Sequence, residues 1–245
     1  MNKQFEMSAK YYDTFYSYRT YSQDVEAIEA VIGSIVPQAA SILDVACGSH
    51  EHGVYFDDRF KVDGLDLSER FIKLAKAKTA DRHFPGTYYH QSMDGFSIDS
   101  RYDAIVCLFS SIGYLPDVEA LHRTFRSFRD HLNPDGVVIV EPWLSSANID
   151  SFETSRLSTQ DEIQVARLSR YRVTGKQLTL WLHYLVGDAA DVDYFVEEHH
   201  MTLFSRDDYE SALADNGFQW KFDPDGLSSK RGLYVCTRGD GHGGG

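Results

Sequence analysis

Apolar residues recur at helical spacing from Val25 to Val36, and the chain then switches to an unbroken apolar run, Ala40 to Ala46, that ends in Cys47-Gly48. The first pattern predicts an amphipathic helix and the second a buried strand. The alternation repeats. Strand-like runs follow at Lys61–Leu67, Thr87–Ser92, Tyr102–Phe109 and Gly136–Pro142, with amphipathic helical segments between them at Ser68–Thr79 and Val118–Leu132. Ser68 is suited to cap the first of these helices, with Glu69 in its first turn. Asn133-Pro134-Asp135-Gly136 reads as the turn that stops the second. Strands that alternate with helices predict an α/β fold whose sheet is mostly parallel, joined by right-handed crossovers.

After Pro142 the rhythm changes. Lys176–Val186 and Asp193–Phe204 are long, rich in Thr, Leu, Trp, Tyr and Val, and joined by Gly187-Asp188-Ala189-Ala190, which predicts an inserted antiparallel hairpin. Residues 145–204 therefore read as an insertion suited to cover a substrate. The core resumes with a helix at Arg206–Asn216, capped by Ser205, and a last strand at Gly232–Thr237. Residues 239–245 read as a Gly-rich disordered tail. Residues 1–24, which carry Phe5, Tyr11, Tyr12, Phe15, Tyr16, Tyr18 and Tyr21, either staple an N-terminal helix to the core or roof a pocket as a lid.

Composition narrows the function. A net charge of −13 argues against nucleic acid as a partner, because phosphate binding needs clustered Lys and Arg. No run approaches the ~20 apolar residues that span a bilayer, and Met1 to Lys10 lacks the apolar segment of a signal peptide, so no membrane partner and a cytoplasmic location are expected. Cys47, Cys107 and Cys236 are far apart and sit in apolar runs, as reduced core thiols do.

The chemistry centres on Ser41-Ile-Leu-Asp44-Val-Ala-Cys-Gly48-Ser-His50, a buried strand that runs into a glycine turn. Open α/β sheets bind ligands at that strand end, where glycine lets backbone approach closely. About twenty residues on, a second strand ends in Leu65-Asp66-Leu67, and a carboxylate there can accept both hydroxyls of a ribose. A dinucleotide would need G-x-G-x-x-G to cradle its pyrophosphate, whereas only Gly48 and Gly53 are present and Glu51 would repel phosphate. S-adenosylmethionine (SAM) carries no phosphate, and Asp44 is free to face its cationic methionine end.

Seven segments carry a more specific resemblance: Leu43-Asp-Val-Ala-Cys-Gly48, Gly64-Leu-Asp-Leu-Ser68, Phe109-Ser-Ser-Ile-Gly113, Gly136-Val-Val-Ile-Val-Glu-Pro-Trp143, His183-Tyr-Leu-Val186, Thr202-Leu-Phe204 and Arg231-Gly-Leu233. From about Tyr12 to Val235 the chain resembles the bacterial N,N-dimethyltransferases that finish nucleotide-linked amino sugars for macrolide antibiotics. The resemblance implies a class I methyltransferase fold, SAM as cofactor and a small-molecule amine as substrate; a homo-oligomer is left open. It implies cofactor contacts at Asp44, Ala46, Gly48, Ser49, Asp66, Leu67, Met93, Asp94 and Leu108, and substrate contacts at Glu141, Trp143, His183 and Arg231. This chain departs from the family's Gly-Thr-Gly with Gly48-Ser49-His50, and from its His after Ser-Ser-Ile-Gly with Tyr114. It also has Ser92-Met93, with Asp94 nearby, where the family has an acid.

A sulfonium already activates the methyl group, so transfer to a neutral amine asks chiefly for alignment, and a strong base is needed only for a hydroxyl acceptor. Tyr12, Tyr16, Ser111 and Tyr114 are the candidate catalytic positioning groups; Tyr114 reads equally as a packing aromatic and His183 as a surface histidine. Arg231 could grip a phosphate or carboxylate, or serve a surface ion pair. His199-His200 beside Glu197-Glu198 superficially suggests a metal, but adjacent strand residues face opposite ways, so no metal site is expected. The leading reading is SAM-dependent N-methylation of an amino sugar or similar amine. The alternatives are a hydroxyl or carboxyl acceptor on the same fold, and a SAM-fold scaffold that has lost catalysis.

Overall fold

The structure, a computed structural model, describes residue 5, residues 7–80 and residues 86–239. In chain order the helices are α1 (Tyr12–Phe15), α2 (Tyr21–Ile35), α3 (Glu69–Lys78), α4 (Val118–His131) and α5 (Arg206–Asp215). The strands are β1 (Ser41–Val45), β2 (Lys61–Asp66), β3 (Tyr88–His90), β4 (Tyr102–Cys107), β5 (Leu132–Val140), β6 (Ser155–Gln160), β7 (Ile163–Thr174), β8 (Gln177–Gly187), β9 (Val192–Thr202), β10 (Phe218–Asp223) and β11 (Leu233–Arg238). They divide between two compact units, Tyr21–Trp143 with Phe204–Gly245, and Met1–Thr20 with Leu144–Leu203.

The larger unit is a seven-stranded sheet in the order β10-β11-β5-β4-β1-β2-β3. Strands β1 to β5 pair in parallel, whereas β11 lies antiparallel against β5 and β10 antiparallel against β11. Both faces of the parallel part are covered, which is why its strands read as apolar runs rather than alternating ones. Leu43, Val45 and Ile105 pack with Phe125 and Phe128 of α4 and Leu213 of α5; Ile42, Ala104 and Val106 pack with Val25, Ile28 and Ile32 of α2. Ser68 caps α3 by accepting Phe71 N–H at 3.3 Å, and Ser205 and Asp208 form a capping box on α5.

Two expectations change. Asn133–Gly136 is not a free turn: Tyr102 pairs with Leu132 but Ala104 with Val137, so these residues bulge out of β5. Strand β10, at the sheet edge, was not foreseen. The cysteines are free thiols; Cys107 and Cys236 are buried and Cys47 is half-buried.

The smaller unit is a four-stranded antiparallel sheet, β6-β7-β8-β9, so the expected hairpin is half of a larger structure. Its buried face includes Leu178, Leu180, Leu182, Tyr184 and Val186 of β8, alternating with half-buried Thr179, Trp181 and His183. Phe15 joins that cluster together with Val165, and Ser158 Oγ donates to the Phe15 carbonyl at 2.7 Å. Tyr11, Phe15 and Tyr16 thus pack on the inserted sheet, whereas Tyr21 stands edge-on to His52 in the larger unit. Gly239 N–H donates to the Gly217 carbonyl at 2.9 Å; the rest of the expected disordered tail, 240–245, lies outside the described residues. Among the described residues no helix is long and apolar enough to cross a membrane.

Candidate active site at the carboxyl edge of the sheet

Because β1 to β5 are parallel, the loops that leave them gather at one edge, and antiparallel β11 begins there, with Tyr234 opposite Val140. Most of the expected site residues fall on this edge: Asp44, Ala46, Gly48 and Ser49 after β1, Asp66 and Leu67 after β2, and Met93 and Asp94 after β3. Leu108, Ser111 and Tyr114 follow β4, Glu141 and Trp143 follow β5, and Arg231 precedes β11. Backbone strain marks the same edge. Ala46, Gly48 and His50 have φ of 57°, 54° and 68°, and Phe109 and Ser110 have 55° and 61°. Each non-glycine residue in this left-handed region costs roughly 1–2 kcal/mol, so the surrounding contacts must hold it.

Asp66 supplies part of that hold. Its Oδ2 accepts Gly48 N–H at 2.9 Å and its Oδ1 accepts Ser68 N–H at 2.7 Å, which ties the end of β2 to the loop after β1. Burial raises its pKa to about 6, against the lowering effect of the Ser68 and Gly48 N–H groups and with a further push from Asp44. Leu67, beside it, is 54% exposed, an apolar surface next to an acceptor. Lys78, at the end of α3, pairs with Glu51 and lies 3.4 Å from Ser49 Oγ. Glu51 is therefore charge-matched, and its expected repulsion of phosphate loses force; the missing glycines still argue against a pyrophosphate.

Asp44 and His50 are both buried, and His50 Nδ1 faces Asp44 Oδ2 at 3.4 Å. Neither atom makes a hydrogen bond within the protein. The His50 ring stands edge-on to Tyr88 at 5.2 Å, in space that a Cβ on Gly53 would enter at 2.0 Å. His50 and Gly53 are therefore a matched pair. The expectation that Asp44 stands free is corrected: an imidazole already faces it.

Asp94 accepts from Ser92 Oγ at 2.5 Å and from Arg123 at 2.8 Å. Its carboxyl pKa lies below the usual aspartate range: burial raises it, but those bonds outweigh burial. Met93 packs against the core and Leu108 is buried. Past β4, Ser110 Oγ donates to the Pro142 carbonyl at 2.7 Å and accepts from Arg231 at 3.0 Å, while the Arg231 guanidinium lies over the Trp143 ring at 4.5 Å. Glu141 is fully buried; one oxygen accepts Phe109 N–H at 2.6 Å and the other the Ser229 hydroxyl. Both of its oxygens bind protein, so Glu141 braces the loops that carry Ser110 and Arg231. Ser110 and Ser229 were missed, although Ser110 lies inside the quoted Phe-Ser-Ser-Ile-Gly segment. Ser111 and Tyr114 are half-buried in the turn Ser111–Tyr114.

Tyr12, Tyr16 and His183 belong to the smaller unit. The Tyr12 and Tyr16 rings are 4.7 Å apart, and the Tyr16 hydroxyl accepts from Arg167 at 3.0 Å. His183 Nδ1 lies 2.8 Å from the Tyr194 hydroxyl on an exposed strand pair.

The carboxyl edge fits SAM on its own geometry. The space beside Gly48, where a Cβ would stand, is open; the buried Asp44 carboxylate, faced by His50, adds negative charge for a cation; and Asp66 offers a carboxylate to a ribose. This is the architecture of a SAM-dependent methyltransferase. The family model described as "Methyltransferase domain" matches residues 18–220. The dTDP-3-amino-3,6-dideoxy-alpha-D-glucopyranose N,N-dimethyltransferase of Streptomyces fradiae is 34% identical over 224 residues, 90% of this chain and 86% of that protein. The crystal structure of Streptomyces venezuelae DesVI superposes with a TM-score of 0.86 at 33% identity, covering 94% of this chain and 98% of that one. The SAM-bound amino pentose methyltransferase of Micromonospora echinaspora gives 0.80 at 29%, covering 91% and 93%. The chain belongs to this methyltransferase family, within its group of sugar N-methyltransferases.

Proposed function

We propose that the protein transfers methyl groups from SAM to the amine of a nucleotide-linked amino sugar. One observation carries the reading: the ribose acid, the open glycine and the Arg231–Trp143 pair share one sheet edge, in segments that resemble sugar N,N-dimethyltransferases along nearly the whole chain. When bound, SAM supplies a sulfonium-activated methyl group. Asp66 would hold its ribose, Leu67 and Leu108 its adenine, and the Asp44–His50 pair its methionine end.

The remaining residues serve the acceptor. Ser111 and Tyr114 orient the neutral amine and keep its lone pair in line, a role suited to tyrosine, which offers both a π face and a hydroxyl. Arg231 presents a planar guanidinium braced by Trp143 and Ser110, the geometry that grips a diphosphate. Mass spectrometry of reactions with SAM and a panel of dTDP-linked amino sugars, matched hydroxyl sugars and carboxylates tests the reading. Methylated amine and S-adenosylhomocysteine are expected together; product from the hydroxyl or carboxylate compounds alone would overturn it.

A further inference from the structure

Residues 224–232 join β10 to β11 and carry Arg231. The loop closes on itself. A Cβ on Gly226 would stand 2.6 Å from the carbonyl carbon of Gly232, so the two stems meet backbone to backbone, and both glycines take the left-handed φ, 54° and 86°, that this approach needs. Within this neck the core holds one residue after another. Leu227 is buried in the cluster of Val25, Ile28 and Ile32, and its carbonyl accepts Lys230 N–H at 2.9 Å. The Ser229 hydroxyl donates to Glu141, and Arg231 lies over Trp143 and donates to Ser110. Lys230, exposed, has a φ of 54°, a strained conformation that persists only where its neighbours are fixed.

Asp24 fixes the residue between Leu227 and Ser229. It stands in the first turn of α2 and is 2% exposed, and a carboxylate so deeply placed is costly unless hydrogen bonds replace its water. Ser228 supplies two of them: its N–H donates to Asp24 Oδ1 and its hydroxyl to Oδ2, each at 2.9 Å. Because each oxygen takes its own donor, the carboxylate sets the direction of Ser228 as well as its place. Asp24 and Glu141 thus grip neighbouring residues of one loop just ahead of Arg231. All of these residues belong to the larger unit.

We infer that Asp24 is a positioning residue for the nucleotide-linked acceptor: through Ser228 it holds residues 224–232 in the shape that aims Arg231 at the diphosphate. The inference rests on the proposed role of Arg231. A loop ordered beforehand loses little entropy when its ligand binds, so releasing it weakens the grip on the diphosphate and spares SAM. Asp24→Ala removes both bonds. Asp24→Asn keeps them in another form, since the amide oxygen accepts Ser228 N–H while the amide NH2 donates to the hydroxyl oxygen.

The test is calorimetry of the full chain with dTDP and with SAM, joined to steady-state kinetics with a dTDP-linked amino sugar. Asp24→Ala should weaken dTDP binding about fivefold or more and raise the acceptor KM by a similar factor, with kcat changed less and SAM affinity within about twofold. Asp24→Asn should recover most of the loss. A residue that acts through Arg231 has nothing left to position once that side chain is gone, so on an Arg231→Ala background Asp24→Ala should weaken dTDP by less than about twofold. The same loss on both backgrounds overturns the inference, as does wild-type dTDP affinity in Asp24→Ala. Arg231→Ala separates the two ideas. If it leaves dTDP affinity untouched, the diphosphate reading fails and takes the inference with it; if it weakens dTDP and Asp24→Ala does not, only the anchor fails. Should Asp24→Ala not fold, Ser228→Ala takes its place, because it drops one of the two bonds at an exposed position. A loss of about threefold in dTDP affinity that vanishes on the Arg231→Ala background supports the anchor, and an unchanged affinity overturns it.

Discussion

Replacing Asp66 by Asn tests the cofactor site with a change of little more than one atom. The folded protein raises the Asp66 pKa to about 6 from an ordinary 3.8, chiefly by burial. At about 1.4 kcal/mol per pKa unit, the ionised form costs the fold roughly 3 kcal/mol at neutral pH. The sign follows from linkage: a carboxyl raised in the native state contributes its stability below the unfolded value near 3.8, and that contribution is lost as pH rises through about 6. Asn removes the charge penalty but turns its amide NH2, a donor, toward the Gly48 or Ser68 N–H, which costs about 1–3 kcal/mol. The free variant should therefore be about as stable as wild type at pH 7, or modestly more so.

Binding should behave differently. Weakening the charge-assisted bonds to two ribose hydroxyls is expected to cost roughly 3–5 kcal/mol, a loss of about 10² to 5 × 10³-fold in SAM affinity. Wild-type affinity should rise about tenfold from pH 5 to pH 7 as the carboxylate forms, and Asn should abolish that rise. Isothermal calorimetry across this range, with thermal melts of the free protein, measures both. A variant that binds SAM within threefold of wild type, or a wild-type affinity flat between pH 5 and 7, would refute the ribose assignment.

Other perturbations probe separate contacts. Gly53→Ala drives a Cβ into the His50 ring and should destabilise by about 1–3 kcal/mol; added to His50→Gly it should cost much less, and additive effects in melts would dissolve the pairing. His50→Gly alone should weaken SAM binding in calorimetry, because it strips Asp44 of its facing imidazole; unchanged affinity would show that the ring is only filler. Arg231→Ala should raise the KM of a nucleotide-linked sugar ~10-fold or more and weaken inhibition by dTDP, while leaving SAM affinity intact. Tyr114→Phe should lower turnover modestly and Tyr114→Ala by ~10-fold or more, with rates rising toward the amine's own pKa in a pH profile.

The parallel core was legible because burial on both faces leaves a strong signature: the helix and strand runs from Val25 to Pro142 all became elements, within a few residues. Strands that alternate and lie at edges were weaker signals. Phe218–Asp223 and Ser155–Gln160 expose every second residue or more, and both were missed. Contacts between distant segments were not legible at all. Nothing local in Phe15 announces Ser158, 143 residues away, and Glu197 gives no sign that it binds the backbone of Met7 and Ser8. At the sheet edge the residue types were readable but their partners were not. Asp44 was expected to stand free, and geometry gave it an imidazole; the Ser hydroxyl and backbone N–H that Glu141 accepts were equally unreadable.

The central claim is that methyl is transferred to nitrogen of a nucleotide-linked amino sugar. Incubating the protein with SAM carrying a ¹³C-methyl group and a dTDP-linked amino sugar, then recording the carbon spectrum of the product, reads the claim directly. An N-methyl resonance that appears in step with S-adenosylhomocysteine is the predicted result; an O-methyl resonance, or label that never leaves SAM with any amino sugar offered, would contradict it.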